Sequence, residues 1–250
     1  MNTLYIDCFS GISGDMTIGA LLDLGADPTV LETELRKLHI HEEYELRWEK
    51  VVKKGVTATK FDVILSESDT HHSHSHHHHH SHRHYSDIVK LIQNTDYNEN
   101  IKDMALKIFE IIGKAEGKIH NIPLEKVHFH EVGAVDSIID IVGTCILIDQ
   151  LKVSNILASP VPVGNGKIQI AHGLFPVPAP ATLEILKGIP IKTSDIEGEL
   201  TTPTGAGILS ALVHQFGPVP SFTITSIGYG AGTKDFPNHP NVLRMMLGTS

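Results

Sequence analysis

The chain has 250 residues, of which 41% are hydrophobic and 20% are charged, as in a typical soluble globular protein with a sizeable core. A formal net charge of −9 without a cluster of Lys and Arg argues against a nucleic-acid partner, and no apolar run reaches the roughly 18 residues of a membrane span. The N-terminus has no basic region before an apolar stretch, and Cys8 and Cys145 are too few for a disulfide framework, so we expect a cytoplasmic protein.

The first part of the chain predicts a strand, two helices and a hairpin. Asp27 followed by Pro28 is typical of an N-cap with proline at the first helical position. Two later segments alternate apolar and polar residues around a Lys-Lys-Gly turn, which is the pattern of a β-hairpin. The predicted elements are a strand at 3–8, helices at 17–24 and from 28 to about 38, and hairpin strands at 44–52 and 57–65.

The hairpin is followed by residues 71–84, which contain ten histidines and no apolar residue. Such a segment has nothing to bury in a core, so we predict a disordered loop over 67–84. Neutral imidazole suits nickel, copper, zinc and iron, and the position inside the chain argues against an expression tag. We therefore predict metal handling rather than an accidental linker, with ligands at His71, His72, His74, His76, His77, His78, His79, His80, His82 and His84.

The remainder of the chain mixes helices with a segment of short strands and loops. Residues 136–151 are almost continuously apolar at helical length, which predicts a helix buried on most sides. Residues 158–182 are rich in Pro and Gly, which favours loops and short strands. The other predicted elements are helices near 86–95, 99–118, 182–186 and 205–214, an extended segment at 126–132, and strands at 222–227 and 242–246.

These elements predict an α/β or α+β fold, with a mixed sheet and flanking helices interrupted by the His-rich loop. Residues 1–66 and 85–250 are expected to form one α/β unit, or else two subdomains that divide near 66–85 or at 152.

A turn containing Gly and Ser joins the first strand to the first helix. It offers backbone N–H groups and the positive end of a helix dipole to an anion. Asp7 and Asp15 flank this turn and could hold a divalent cation beside a phosphate. The alternative is a tight turn in which Ser13 or Asp15 only caps the helix. The candidate phosphate-binding residues are Ser10, Gly11, Ser13 and Gly14.

Histidines and carboxylates also cluster ahead of the apolar helix. If the segment is extended, His128 and His130 share one face, while Asp136 and Asp140 share a helix face four residues apart. Two imidazoles and nearby carboxylates are the ligand types of a catalytic transition-metal site, with Glu131 as a base or supporting partner. The alternative is an N-cap at Asp136 and two hydrogen-bonded histidines. We favour the site, because an acid such as Asp140 in so apolar a helix needs a partner.

Three threonines surround Pro203 just before Gly205, at a third predicted helix start. Thr201, Thr202, Thr204 and Gly205 could present donors to a phosphate or carboxylate, although a capped helix explains the pattern equally well.

Glycines at 164, 166 and 173, and again at 228, 230 and 232, indicate close backbone approach to a ligand.

Taken together, these segments resemble the LarC nickel insertion proteins, which complete the nickel-pincer nucleotide cofactor of lactate racemase. The resemblance extends along the whole chain in fixed order. It is carried by YIDCFSGISGDM at 5–16, HFHEVGAVDSIID at 128–140, VPVGNG at 161–166, HGLFPVPAPAT at 172–182, ELTTPTGA at 199–206 and GYGAGTKDF at 228–236.

The resemblance implies a nickel chelatase of the lyase class, a CTP-dependent cyclometallase assisted by Mn²⁺ or Mg²⁺. Its substrate would be pyridinium-3,5-bisthiocarboxylic acid mononucleotide. The His-rich loop would supply nickel, and the 10–15 turn or the 201–206 helix start would hold the phosphate. A base must take a proton from the ring carbon as nickel bonds to it, and His128, His130 and Glu131 are the candidates for that base or for transient nickel ligands.

Members of this family are considerably longer, and their C-terminal region is associated with CTP binding. The chain therefore resembles the N-terminal portion of these proteins. We expect it to have two partners, the pincer nucleotide precursor and the C-terminal region of the family. A second copy of the chain, as a homo-oligomer, could also complete a site. Two alternatives are a nickel-binding and delivery module without catalysis of its own, and a Mg²⁺-dependent phosphate-ester enzyme that uses Asp7 and Asp15.

Overall fold

The structure is a computed structural model that describes residues 2–66, 83–129, 135–170 and 173–249. The helices in these ranges are α1 (Gly14–Asp23), α2 (Pro28–Leu35), α3 (Tyr85–Gln93), α4 (Glu99–His120), α5 (Val135–Gln150), α6 (Pro180–Ile185) and α7 (Pro203–Leu212), with 3₁₀ turns at Arg36–Leu38 and Leu124–Lys126. The strands are β1 (Asn2–Asp7), β2 (Tyr44–Lys53), β3 (Val56–Leu65), β4 (Asn155–Ala158), β5 (Val161–Pro162), β6 (Gly164–Asn165), β7 (Lys167–Ile170), β8 (Gly173–Pro176), β9 (Ile191–Lys192), β10 (Gly198–Glu199), β11 (Gln215–Phe216), β12 (Thr223–Ala231) and β13 (Val242–Thr249).

The main sheet of the described residues has seven strands in the order β11-β4-β1-β13-β12-β3-β2. Strand β1 is parallel to β4 and antiparallel to β13, so the sheet is mixed as predicted. Consecutive residues Leu4, Tyr5 and Ile6 are all buried, which is the pattern of a strand covered on both faces. The predicted hairpin is confirmed, with Tyr44 opposite Leu65 and Lys53 opposite Val56.

Helix α1 packs closely against β12 because two glycines of the strand leave room for its backbone. A Cβ atom on Gly230 would lie 1.8 Å from the carbonyl oxygen of Met16, and one on Gly228 would lie 2.2 Å from that of Ala20. The expectation that these glycines mark close approach to a ligand is therefore wrong, because the approaching group is a helix. Strand β12 runs to Ala231, four residues past the predicted end at 227.

Helix α5 is the centre of the helical layer, packed against α1, α2, α4 and α7. Its residues from Ser137 to Ile139 and from Ile141 to Ile148 are buried, which confirms the prediction from its apolar composition. Asp27 caps α2 by accepting a hydrogen bond from the N–H of Thr29 at 2.8 Å, with Pro28 at the first helical position, also as predicted.

The segment predicted as extended at 126–132 is described only in part. Residues Leu124–Lys126 form a 3₁₀ turn, after which His128 makes an isolated bridge to His84.

Cys8 and Cys145 are buried free thiols. Among the helices in the described ranges, none combines the length and apolar character needed to cross a membrane. The assignment of the chain to one unit or two subdomains stays a prediction.

Candidate functional site

A cavity of about 340 Å³ opens where the first turns of α1, α5 and α7 meet strand β3. Each first turn carries backbone N–H groups without an intrahelical partner, and the helix dipole makes this end partly positive. The wall of the cavity nevertheless contains several carboxylates and one ammonium group. Its lining residues are Ser13, Gly14, Asp15, Lys60, Phe61, Asp62, Val63, Asp136, Ser137, Asp140, Glu199, Thr202, Pro203, Thr204 and Thr233.

The turn before α1 and the start of α7 form one continuous wall. The N–H of Ile12 donates to the carbonyl of Leu200 at 3.0 Å, and the N–H of Thr202 donates to the carbonyl of Ile12 at 3.1 Å. Gly205 is needed at this junction, because a Cβ atom there would lie 2.2 Å from the Ile12 carbonyl oxygen. The two segments that the sequence offered as alternative phosphate sites are therefore neighbours in space.

The caps of the two helices differ. Thr202 is the N-cap of α7, with its hydroxyl accepting a hydrogen bond from the N–H of Gly205 at 3.2 Å and with Pro203 at the first helical position. Ser13 occupies the N-cap position of α1 with extended backbone but makes no side-chain cap bond. Its hydroxyl donates instead to the carboxylate of Asp15. The predicted cap is thus present at α7, while at α1 the serine orients an acidic side chain of the cavity.

Lys60 is the cation of this wall. Its ammonium group donates to Asp15 Oδ2 at 3.0 Å, to Asp62 Oδ1 at 2.6 Å and to the carbonyl of Phe61 at 2.9 Å. Only 10% of the side chain is exposed. Burial lowers the pKa of Lys60, but the charges of Asp15 and Asp62 and the hydrogen bonds to them outweigh burial, so the pKa is raised overall. Lys60 is therefore a fixed positive charge.

Asp140 reaches from α5 to the start of α1, where its carboxylate lies against the backbone N–H of Asp15. Burial raises its pKa well above the ordinary value, and the charges of Asp15 and Asp136 raise it further, against smaller opposing effects of Lys60 and of the Asp15 N–H. Within the described part of the chain, its Oδ1 atom is buried and has no hydrogen-bond partner. The partner expected for this acid in an apolar helix is thus the end of a neighbouring helix.

The structure brings together seven of the residues singled out in the sequence and places five others elsewhere. Those lining the cavity are Ser13, Gly14, Asp15, Asp136, Asp140, Thr202 and Thr204. The five others serve packing and hydrogen bonding near the cavity or at the sheet; they are Asp7, Ser10, Gly11, Thr201 and Gly205.

Each of these five has an evident structural partner. The carboxylate of Asp7 accepts hydrogen bonds from Arg244, including one from Nε at 3.0 Å. The hydroxyl of Ser10 donates to the Pro240 carbonyl at 2.6 Å, and that of Thr201 donates to the Pro162 carbonyl at 2.7 Å. A Cβ atom on Gly11 would lie 2.0 Å from the Leu200 carbonyl oxygen, so this glycine permits the contact between the two segments.

Most of the histidines singled out in the sequence lie outside the described residues. These are His71, His72, His74, His76, His77, His78, His79, His80, His82 and His130, together with Glu131. His84 and His128 are described, and their rings contact each other edge to face with centroids 4.7 Å apart. In the ranges that the structure covers, no three His, Cys, Asp or Glu side chains are arranged to hold a metal ion by themselves.

Several residues of the cavity were not predicted from the sequence, namely Lys60, Asp62, Ser137, Glu199 and Thr233. Ser137, Glu199 and Thr233 stand within segments that carried the resemblance, so a signal for them was present in the sequence. Lys60 and Asp62 stand in a hairpin strand, and nothing in the alternation of that strand distinguishes them from solvent-exposed residues.

Comparisons with known proteins agree with the resemblance. The family model described as nickel insertion protein matches residues 4–250. The pyridinium-3,5-bisthiocarboxylic acid mononucleotide nickel insertion proteins of Geobacillus kaustophilus and Staphylococcus epidermidis are 56% and 52% identical over 99% and 97% of this chain, and over 60% and 58% of their own lengths. A putative nickel insertion protein of Citrifermentans bemidjiense is 50% identical over 100% of this chain and 62% of its own length.

The chain thus spans about 60% of the length of the curated relatives that it matches. No solved structure gives a significant match. Because the family model covers nearly the whole chain and the relatives share about half of its residues, the chain belongs to the nickel insertion protein family.

Proposed function

We propose that this chain binds nickel and pyridinium-3,5-bisthiocarboxylic acid mononucleotide for nickel insertion, the activity in the names of its relatives. The observation that carries the proposal is the cavity in which three helix first turns and the ammonium of Lys60 surround several carboxylates. Such a site suits a phosphorylated ligand together with a divalent cation, which is the chemistry of a mononucleotide accompanied by a metal ion.

The phosphate of the nucleotide would bind at the helix first turns. Ser13 and Gly14 on α1 and Thr202 and Thr204 on α7 offer hydroxyl or backbone donors. Lys60 would supply the compensating positive charge, since its raised pKa keeps it protonated at neutral pH. The five residues placed elsewhere, including Asp7 and Ser10, would support this wall without touching the ligand.

One or two of the carboxylates Asp15, Asp136 and Asp140 would hold an assisting Mg²⁺ or Mn²⁺ ion. Hard divalent cations take oxygen ligands, and Mg²⁺ is usually held by one or two carboxylates together with phosphate oxygens of the substrate. The unpartnered Oδ1 atom of Asp140 is a donor of this kind. Such an ion would neutralise phosphate charge, and it requires no set of three protein ligands.

Nickel is the second substrate. We propose that the histidines of residues 71–84 raise the local nickel concentration, and that His128, His130 and Glu131 act close to the metal. As the nickel–carbon bond forms, the carbon–hydrogen bond breaks and its proton passes to a base. His128, His130 and Glu131 remain alternative bases, because a neutral imidazole and a carboxylate are both competent for this step and for transient nickel binding.

CTP dependence and assignment to the lyase class belong to the same proposal. Since relatives extend well beyond the matched region, we propose that their additional residues bind CTP and act as a partner of this chain. A homo-oligomer in which a second copy completes the site is a further partner. The buried free thiols Cys8 and Cys145 suit a reducing cytoplasm.

A nickel storage and delivery role is the second candidate, favoured by ten histidines within 14 residues. It predicts nickel binding well above one ion per chain that is lost on deletion of 71–84, together with no effect of the cavity residues on insertion.

The test compares Asp136→Asn with Asp103→Asn, an exposed acid on α4, in a full-length protein supplied with nickel, precursor, CTP and Mg²⁺. We expect Asp136→Asn to slow formation of the nickel-containing nucleotide by roughly tenfold or more, as for other residues that support a metal, and Asp103→Asn to act like the unaltered protein. Equal rates for the two variants, repeated with Asp15→Asn, would place the chemistry outside the cavity.

A further inference from the structure

Two histidines from distant parts of the sequence face each other on the described surface. His84 and His128 form an isolated antiparallel bridge. The N–H of Tyr85 donates to the carbonyl of Val127 at 3.1 Å, which ties the two segments together beside the bridge. The imidazole rings lie nearly perpendicular, at 88°, with centroids 4.7 Å apart.

Both residues have anchored backbones. His84 is the N-cap residue of α3, and its N–H donates to the carboxylate of Asp87 at 3.3 Å. His128 lies between Val127 and Phe129, each only 1% exposed, and the ring of Phe129 contacts those of Tyr85 and Phe109. The backbones that carry the two imidazoles are therefore held in place by the capped helix and the hydrophobic core, and His84 is exposed to solvent.

This spacing suits a shared metal ion. Residues directly opposite in an antiparallel pair have Cβ atoms about 4.5–5.5 Å apart, close enough for two imidazoles to turn their nitrogens towards one ion. Neutral imidazole is a good ligand for nickel, copper and zinc. Two protein ligands leave the other positions to water, which makes binding weaker and exchange faster than in a closed structural site.

We propose that His84 and His128 together bind one exchangeable nickel ion at the junction between the His-rich run and the HFHE segment. His84 ends the first and His128 begins the second, so one ion at this bridge would be held by both. The inference rests on the proposed function only for the choice of nickel, because the geometry alone would accept copper or zinc as well.

The test uses the full chain with the nine histidines from His71 to His82 replaced by serine, titrated calorimetrically with nickel in the absence of nucleotide. We expect one nickel ion per chain. Substitution of either His84 or His128 by Ala should weaken binding at least tenfold, and the double substitution should weaken it little further, because each single change already breaks the pair. His41→Ala, a change at an exposed histidine before β2, is the matched control and should leave the affinity unchanged.

A spectroscopic readout separates metal ligation from a structural role. In the same serine-substituted chain, substoichiometric nickel should broaden the imidazole NMR signals of His84 and His128 before those of His41. If the alanine variant does not fold, His128→Gln replaces it, because glutamine is a polar side chain of similar size to histidine. Unchanged nickel affinity in both single variants, or broadening that spares these two rings, overturns the inference. Because the titration contains no nucleotide, such a result would not contradict the proposed binding of the nucleotide precursor in the cavity.

Discussion

The carboxylate of Asp140 on α5 lies against the backbone N–H of Asp15, at the first turn of α1. Two helices far apart in sequence are thus joined at the edge of the cavity. The contact requires Gly14, because a Cβ atom at that position would lie 2.4 Å from Asp140 Oδ2 and 2.5 Å from its Cβ. Sequence position 14 therefore controls the placement of an acid 126 residues later.

Gly14→Ala should displace Asp140 and destabilise the fold. An added methyl group in a packed contact typically costs about 1–3 kcal/mol, and urea denaturation would measure the loss in free energy of unfolding. Gly217→Ala is the control, since a Cβ atom at Gly217 would meet nothing within 4 Å. Equal stability of the two variants would contradict the close contact at Gly14.

Asp140→Asn should change how stability depends on pH. The pKa of Asp140 is higher in the folded than in the unfolded state, so its protonated form stabilises the fold. This stabilisation is fully present at pH values below 3.8, the ordinary pKa of the group, and is lost as pH rises through the folded pKa. Asparagine resembles the protonated acid and has no charge to bury. The free energy of unfolding of the variant, relative to the unaltered protein, should therefore increase between pH 4 and pH 8. A difference that does not vary with pH would show that burial does not perturb this acid.

Lys60→Met should affect both stability and binding of the nucleotide precursor. The change leaves the partly buried carboxylate of Asp15 without its counter-ion, which typically costs about 1–3 kcal/mol of stability. Lys50→Met is the matched control, because Lys50 lies on the neighbouring strand and is 61% exposed. Its partner Asp23 keeps hydrogen bonds from the N–H of Tyr229 and the hydroxyl of Thr59 after the change. We expect the control to cost no more than about 1 kcal/mol and to bind precursor normally. Calorimetric binding at equal fractions of folded protein would show whether only the Lys60 variant loses affinity.

Asp7→Asn should lower stability slightly and leave nickel insertion unchanged. Asp7 pairs with Arg244, whose side chain is 40% exposed, so solvent screening keeps the expected loss within about 1 kcal/mol. Asp15→Asn, at the other end of the same turn, should instead impair insertion. A severe loss of activity in Asp7→Asn, with the fold intact, would return Asp7 to the group of candidate metal ligands.

Local pattern predicted much of the fold. The alternation of 44–52 and 57–65 is that of a hairpin, and the Asp27-Pro28 pair is that of a capped helix start, because both depend on neighbours in sequence. The apolar composition of α5 likewise predicted a buried helix. Helix boundaries were less accurate: α1 begins at Gly14 rather than at 17, since extended backbone at Ser13 sets its start.

The sequence by itself determined the family resemblance, the mixed α/β character and the residue types that bind phosphate and metal. Only the tertiary structure decided which of these residues meet. Ile12 pairs with Thr201, Lys60 enters the cavity beside Asp15, and Gly230 admits helix α1 rather than a ligand. Such contacts depend on the packing of segments many residues apart, which no local periodicity encodes.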